Sequence, residues 1–179
     1  MDISPDQLRH RFPELTRHMS RDQQLVLIEH LVPRTISAND RLIQGGESFD
    51  VMFFVWVGRL SIVLDFDQQD LIVGSVGPGA WVGEIAVMDP GLACATVVAA
   101  QESVVLALPA EAFALLEKNH PVIASLILQV FSKELALRLR ASNQLLLDVL
   151  SQDENEQTVS LQKRDWIKQV GGHLTGTRG

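Results

Sequence analysis

The middle of the chain, from Arg34 to Leu108, consists of short apolar segments that alternate with turn-forming residues. The segments are rich in Val, Ile and Phe, and glycine, proline, asparagine and aspartate separate them. Many short runs of this kind at regular spacing predict β-strands in a sandwich or a jelly roll. The predicted strands are Arg34–Ser37, Arg41–Gln44, Val51–Val57, Arg59–Leu64, Leu71–Val76, Ala95–Ala99 and Val104–Leu108.

Helical patterns flank this region on both sides. Residues 1–33 are predicted to be an N-terminal helical segment, in which Ser20 begins a helix and Pro33 ends it. After the strands, Pro109 begins one helix, and Pro121 begins a second that runs to about Leu150. The predicted fold class is therefore α+β, mainly β. It consists of a jelly-roll β-barrel with N-terminal helices and a long C-terminal helix, and residues 34–150 form its main domain.

The long helix, 121–150, carries a seam of residues at alternating three- and four-residue spacing. A helix of 30 residues is about 45 Å long, which is more than a small barrel can cover. We therefore expect part of it to pair with its twin in a homodimer, although the pattern also fits a helix that lies along its own barrel. The seam residues are Leu128, Phe131, Leu135, Arg138, Ser142, Leu145 and Val149.

Residues 151–179 are predicted to be a polar linker and tail. The first seven of them are all polar, and Leu161–Val170 could form one short amphipathic helix that bears Trp166. An aromatic residue in a polar tail either docks on its own domain or contacts another molecule. Trp166 is therefore a candidate contact for an unknown protein partner.

Composition narrows the classes of function. The 179 residues include 15 Lys and Arg against 22 Asp and Glu, and this net charge of −7 argues against a nucleic-acid partner. The longest apolar run, Val51–Val57, is too short for membrane insertion, and the N-terminus shows no secretory signal. A lone Cys94 excludes an internal disulfide and fits the reducing cytoplasm, where we expect the protein to act. Cys94 itself is expected to be a small core residue on a strand. The five histidines have no metal-ligand spacing, and no catalytic motif is present, so neither a metal site nor an enzyme is expected.

The most specific motif is the segment 77–97, which reads GPGAWVGEIAVMDPGLACATV. A glycine turn, an aromatic residue and Gly-Glu-Ile-Ala precede a short loop and a strand. This order resembles the phosphate-binding cassette of cyclic nucleotide-binding domains, such as the effector domains of bacterial catabolite activators. The resemblance extends over 34–150. It implies the jelly roll of that family and a cyclic nucleotide as the ligand, with no further cofactor required.

The resemblance also implies roles for individual residues. In such domains the carboxylate at Glu84 accepts hydrogen bonds from the ribose, while the Gly83 backbone and nearby amides approach the phosphate. The family's phosphate-binding arginine falls at Ala93, and its Ser or Thr falls at Cys94. Two polar residues of the long helix align with a pair that contacts the purine, although they could merely set the register of the helical seam. The candidate ligand-binding residues are Gly83, Glu84, Ile85, Ala86, Ala93, Cys94, Ser142 and Asn143.

Alanine at position 93 removes the positive partner of a bound phosphate. Loss of one partner of a buried charge pair costs about 2–5 kcal/mol, on the order of 30- to several-thousand-fold in affinity. Between Leu42 and Glu117 the sequence has ten acids and one basic residue, Arg59, so a pocket built from this stretch repels anions. Only a cation from the long helix, such as Arg138 or Arg140, could compensate.

These observations support three hypotheses of function. The first is a stand-alone regulatory or adaptor protein that is degenerate for cyclic mononucleotides and acts through protein–protein interaction. The second is a functional sensor of a cyclic nucleotide or cyclic dinucleotide that switches a partner protein. The third, a DNA-binding regulator of the catabolite-activator class, is disfavoured because the tail is too short for a winged helix-turn-helix and the net charge is negative.

Overall fold

The structure, a computed structural model, describes residues 1–66 and 69–152, which contain six helices and ten strands. The helices are α1 Pro5–Arg11, α2 Pro13–Thr16, α3 Arg21–Glu29, α4 Glu84–Met88, α5 Ala110–Asn119 and α6 Pro121–Gln152. The strands are β1 Val32–Ile36, β2 Arg41–Ile43, β3 Ser48–Phe49, β4 Val51–Val57, β5 Leu60–Phe66, β6 Gln69–Val76, β7 Trp81–Val82, β8 Gly91–Leu92, β9 Thr96–Ala99 and β10 Ser103–Pro109.

A capping box fixes the start of α3. The Ser20 hydroxyl accepts a hydrogen bond from the amide of Gln23, and the Gln23 side chain accepts one from the amide of Ser20. The predicted helix start at Ser20 is confirmed, but the helix ends at Glu29 rather than at Pro33. Pro33 lies in β1, where it is tolerated because β1 is an edge strand and needs no amide donor on its outer side.

Two four-stranded antiparallel sheets form the β part of the molecule. One has the order β1-β10-β4-β7 and the other β2-β9-β5-β6, while β3 and β8 form a separate two-stranded ladder. The predicted class, mainly β with flanking helices, is confirmed. The sheets match the predicted jelly roll, but they are not closed into a barrel: within the described residues no ladder joins the two sheets, and each sheet ends in edge strands.

β4 lies between two hydrophobic cores. Met52, Phe54 and Trp56 pack in a core with the N-terminal helices, α5 and α6, whereas Phe53 and Val55 pack in a second core with the other sheet. Successive side chains of a strand point to opposite faces, so a strand that is covered on both faces must be apolar throughout. This is why the seven residues from 51 to 57 contain no polar side chain.

Aromatic side chains join α6 to this sheet. The ring of Phe131 is fully buried, 5.5 Å from the ring of Trp81 and 6.4 Å from that of Phe54. Phe12 of the N-terminal region packs edge-on against Phe54 from the other side. Residues Met1–Phe131 thus form one compact unit that includes the N-terminal helices.

A second unit begins at Ser132, within α6. The domain boundaries expected after residues 33 and 150 stay predictions. The tail with Trp166 lies outside the described residues, apart from its first two, which belong to the end of α6.

Replacement of Phe131 by alanine tests this packing. We expect Phe131→Ala to lower the free energy of unfolding by about 3–5 kcal/mol, because it removes a fully buried ring and leaves a cavity. Leu115→Ala, on the exposed side of α5, should change it by less than about 0.5 kcal/mol. Urea unfolding of both variants measures the difference, and similar losses would show that Phe131 is not part of the core.

Candidate functional site

The cassette-like segment links the two sheets. It leaves the first sheet at β7, passes through α4 and β8, and enters the second sheet at β9. Gly83 caps α4 in the left-handed conformation, with φ of 80°. A Cβ atom at this position would lie 2.8 Å from the carbonyl oxygen of Val51 and 3.0 Å from the ring of Phe49. Glycine is therefore required both by the turn and by the close approach of β4.

Glu84 is the first residue of α4 and is buried, with 3% of its surface exposed. Its neighbour Ile85 is exposed, whereas Ala86 is buried. The amide of Ala86 donates to the carbonyl of Gly83 at 3.1 Å. This bond closes the turn that begins α4, and the approach of the amides near Ala86 to a phosphate stays a prediction.

The turn between β2 and β3 holds the other end of the cassette. The amide of Gly46 donates to the carbonyl of Ala93, and the amide of Ala93 donates to the carbonyl of Glu47, both at 2.9 Å. The amide of Gly45 donates to the Thr96 hydroxyl oxygen, also at 2.9 Å. These bonds fix the backbone on both sides of the position where the family has its arginine.

Thr96 and Gly45 are contacts that the sequence analysis missed. A Cβ atom at Gly45 would lie 3.1 Å from the backbone of Ala95, so a side chain here would require that backbone to shift by a few tenths of an ångström. The sequence signals were the Gly-Gly pair and a hydroxyl residue at the start of a predicted strand. Neither signal shows that the two lie together, because 51 residues separate Gly45 from Thr96.

Cys94 is exposed and precedes β9, so our expectation that it is a small core residue on a strand is wrong. Ala93 beside it is half-buried. At these two positions the family has an arginine and a Ser or Thr, whereas this chain has a methyl group and an exposed thiol. A methyl group donates no hydrogen bond, and a thiol is a weak donor.

Two basic residues of the β region, Arg59 and Arg41, have partners of their own. Arg59 contacts the Ser75 hydroxyl at 3.4 Å. Arg41, one residue outside the stretch with ten acids, donates to Gln44 at 2.9 Å and lies 3.7 Å from the carboxylate of Asp70. Arg41 is therefore a further cation close in sequence to the turn that contacts the cassette, and the sequence analysis did not consider it.

The predicted seam residues of α6 differ in exposure. Phe131 is buried in the core of the first unit and Leu128 is half-buried, so the first turns of the seam pack against their own domain. In the second unit, Arg138 forms an ion pair with Glu134 at 3.5 Å. Leu135 and Arg138 are half-buried; Ser142, Asn143 and Leu145 are exposed; the environment of the Val149 side chain is outside the description.

Two further properties concern the described residues as a whole. No group of three or more His, Cys, Asp or Glu residues could hold a metal ion there. None of the described helices has the length and apolar character of a membrane span.

Two glycines with the same backbone conformation test the role of the cassette turn. Gly83 and Gly46 have φ of 80° and 78°, but a Cβ atom at Gly46 would meet nothing within 4 Å. We expect Gly46→Ala to lower the free energy of unfolding by about 1 kcal/mol, from the left-handed backbone alone. Gly83→Ala should cost at least about twice as much because it adds the collision with Val51. Equal losses in urea unfolding would show that the close approach of β4 is unimportant.

Known proteins resemble this chain both in sequence and in fold. The family model described as "Cyclic nucleotide-binding domain" matches residues 33–120. The crystal structure of a cyclic nucleotide-binding domain from Methylobacillus flagellatus superposes with a TM-score of 0.73 at 19% identity, over 80% of this chain and 84% of that chain. The catabolite activator protein of Thermus thermophilus gives a TM-score of 0.67 at 24% identity, over 77% of this chain and 63% of that chain.

Curated relatives are much longer than this chain. Glutaminase 2 from Bradyrhizobium diazoefficiens is 29% identical over 137 residues, which are 76% of this chain and 21% of that protein. A cAMP-dependent protein kinase type II regulatory subunit from Drosophila melanogaster is 28% identical over 66 residues, which are 37% of this chain and 18% of that protein. The chain therefore spans about a fifth of the length of the curated relatives it matches.

One structural neighbour is known both as a parent protein and as a variant that has gained an arginine. The regulatory subunit of a cAMP-independent protein kinase A from Trypanosoma brucei gives a TM-score of 0.61 at 18% identity, over 73% of this chain and 46% of that chain. A variant of that protein with three substitutions, one of them threonine to arginine, is described as bound to cAMP in its A site. Both structures share the fold described above. By sequence and by fold, residues 33–120 of this chain are a member of the cyclic nucleotide-binding domain family.

Proposed function

We propose that this protein is a regulatory or adaptor protein whose cyclic nucleotide-binding domain is degenerate for cyclic mononucleotides and which acts through contacts with other proteins. The observation that carries the proposal is Ala93, which stands where the family has its phosphate-binding arginine. A guanidinium supplies two charge-assisted hydrogen bonds to a phosphate, and a methyl group supplies none. The proposal involves no catalytic step, and we expect the protein to act in the cytoplasm.

The charge around the cassette supports this proposal. The stretch from Leu42 to Glu117 has ten acids against a single basic residue, so it produces a negative potential. The side chain of that basic residue, Arg59, is exposed and turned to Ser75. A buried anion without a positive partner is strongly disfavoured, and this stretch supplies no free cation to replace the missing one.

The hydrogen bonds of the cassette support it in a second way. The amide of Gly46 and the carbonyl of Glu47 bind the backbone of Ala93, and the Thr96 hydroxyl accepts a hydrogen bond from the amide of Gly45. A segment that its own chain holds in place does not need a phosphate to order it. The domain can therefore present one fixed surface to a partner in place of two ligand-controlled states.

The Trypanosoma pair supports the role of the arginine. The parent protein is described as cAMP-independent, and the variant that is described with cAMP has gained an arginine among three substitutions. That pair shares the fold of this chain at 18% identity. We infer that an arginine in the cassette strengthens cyclic nucleotide binding in this fold, and that this chain, which has Ala93 at the family's arginine position, binds cyclic AMP weakly or not at all.

A functional sensor remains the second candidate, because Glu84 is buried at the position that meets the ribose in the family. Such a sensor would need a cation from elsewhere, and Arg41, Arg138 and Arg140 are the candidates. Arg41 already pairs with Asp70, and Arg138 with Glu134, so either would have to exchange partners to bind a phosphate. A cyclic nucleotide or cyclic dinucleotide would then be the ligand, with Ser142 and Asn143 as further contacts.

Introduction of the missing arginine tests the proposal directly. By isothermal titration, we expect the wild-type chain to show no saturable binding of cyclic AMP up to about 100 μM. Ala93→Arg should tighten binding by at least about 30-fold, because it restores the partner of the phosphate. Ala93→Gln, which adds a long polar side chain without charge, is the matched control and should not bind.

Two outcomes would contradict the proposal. Submicromolar binding of cyclic AMP to the wild-type chain would show that the site is functional without the arginine. A rise in melting temperature in the presence of a cyclic dinucleotide would favour the sensor, because a ligand that prefers the folded state stabilises it. Loss of that rise in Arg41→Ala, but not in Arg140→Ala, would identify the compensating cation.

We also propose that a second copy of this chain pairs through the long helix. From Ser132 onward, α6 exposes Leu137, Leu139 and the three consecutive leucines 145–147. A helix that is apolar on several faces is normally buried, so this part of α6 is suited to contact another helix. Phe131 is already used by its own domain, which restricts the contact to the residues that follow it.

Two leucines on opposite sides of α6 test this pairing. Leu145 belongs to the predicted seam, whereas Leu147, two residues on, lies about 160° around the helix. Both are exposed, at 66% and 55%, so lysine at either position should leave the fold unchanged. In sedimentation at matched concentrations, Leu145→Lys should weaken the dimer at least tenfold and Leu147→Lys should not. An equal effect of the two variants, or a monomeric wild type, would contradict a seam that contains Leu145.

A further inference from the structure

The four edge strands of the two sheets differ in how well they are protected. Exposed edges pair with other strands unless proline, charge or shortness prevents it. β1 contains Pro33, β7 has only two residues, and β2 has three residues that begin with Arg41. β6 has eight residues, from Gln69 to Val76, without proline or a basic residue.

β6 is also apolar and exposed. Leu71, Ile72 and Val73 are consecutive and expose 53%, 66% and 50% of their surfaces. Leu64, which faces Leu71 on the neighbouring strand β5, is exposed as well. Because successive residues of a strand point to opposite faces, this edge is apolar on both faces, which is unusual for an unpaired strand.

The register of β5 and β6 adds to this surface. Ile62 pairs with Gly74 and Val63 pairs with Ile72, so Val73 is the extra residue of a β-bulge and has no partner on β5. Val63 is buried although Ile72 opposite it is exposed. The inward-facing side chains of this sheet are thus buried as far as β5, whereas the aliphatic side chains of β6 remain exposed to solvent.

We propose that β6 pairs edge to edge with β6 of a second copy, antiparallel, about a two-fold axis at Ile72. In this register, Leu71 faces Val73 of the other copy and Asp70 faces Gly74. No acid then faces an acid, and apolar side chains face one another. An axis at Asp70 would place two carboxylates together, and an axis at Leu71 would place Asp70 against Ile72, both of which are unfavourable.

The charges near the edge favour a second copy over a basic partner. Asp70 is the only charged residue of β6, and it lies 3.7 Å from a guanidinium nitrogen of Arg41 in its own chain. A partner therefore needs no positive charge to match it. The strip of four aliphatic residues is small beside the ~800 Å² per partner of a stable interface, so the association should be weak and concentration-dependent. This inference does not rest on the absence of a nucleotide or on the long-helix dimer.

Single cysteines test both the pairing and its register, in the full chain with Cys94→Ser as the background. Ile72→Cys places two thiols directly opposite each other, with Cα atoms about 4.5–5.5 Å apart, within the range of a disulfide. Val73→Cys, the matched control, places its two thiols on a diagonal about 7–8 Å apart, too far for a ready bridge. We expect Ile72→Cys to form a cross-linked dimer at least tenfold faster than Val73→Cys under mild oxidation. A mixture of Leu71→Cys and Val73→Cys should cross-link as a heterodimer.

Three results would overturn the proposal. The first is that Ile72→Cys does not cross-link, and the second is that Ile72→Cys and Val73→Cys cross-link at equal rates. The third is that Ile72→Cys cross-links to a different protein and not to a second copy of this chain. Ile72→Lys in the Leu145→Lys background separates this contact from the helical one. If both contacts exist, the Leu145→Lys variant still self-associates at high concentration and the double variant does not. If the helical contact does not exist, Ile72→Cys should still cross-link faster than Val73→Cys. Thermal unfolding equal to that of the parent shows that these exposed substitutions leave the fold intact.

Discussion

The structure depends on the burial of two neighbouring strands, β4 and β10, on both faces. β4 supplies Met52, Phe54 and Trp56 to the core beneath the helices and Phe53 and Val55 to the core between the sheets. Each large apolar side chain that is removed from water contributes about 1.5–3 kcal/mol before the entropy of ordering is subtracted. The neighbour of β4, β10, does the same, with Leu106 and Leu108 in the first core and Val105 and Ala107 in the second, so these two strands join the helical layer to the second sheet. The cassette turn is packed directly on β4, through the contact between Gly83 and Val51.

Long apolar runs and caps were the parts of the fold that the sequence predicted well. Val51–Val57 was predicted with its observed limits because a doubly covered strand has no polar residue to obscure it. The start of α3 was predicted at Ser20 because both partners of its capping box are local. The three strands of two residues, β3, β7 and β8, were missed, since two residues cannot show an alternating pattern. The sequence did not show that the two sheets are not closed into a barrel, because barrel closure depends on pairing between strands that are distant in sequence.

The candidate site shows the same division between local and distant information. The Gly-Glu motif and the missing arginine are local, and both were evident in the sequence. The contacts of Thr96 with Gly45 and of Ala93 with Glu47 join segments about 50 residues apart, which no single-sequence pattern reports. Cys94 was predicted in the core because free cysteine is among the most buried residue types, but the strand begins only at Thr96, and the preceding loop leaves the thiol exposed.

The placement of Gly83 has a mechanical consequence for the cassette. Its backbone lies close to the carbonyl of Val51, and the far end of the cassette is hydrogen-bonded to the turn before β3. Because β8, in the middle of the cassette, also pairs with β3, a movement of the cassette as a flap about one hinge would break several of these hydrogen bonds. A protein that docks on the domain would thus contact a segment that is held at both ends. Substitutions on the exposed surface of that segment could change the contact without disturbing the two cores.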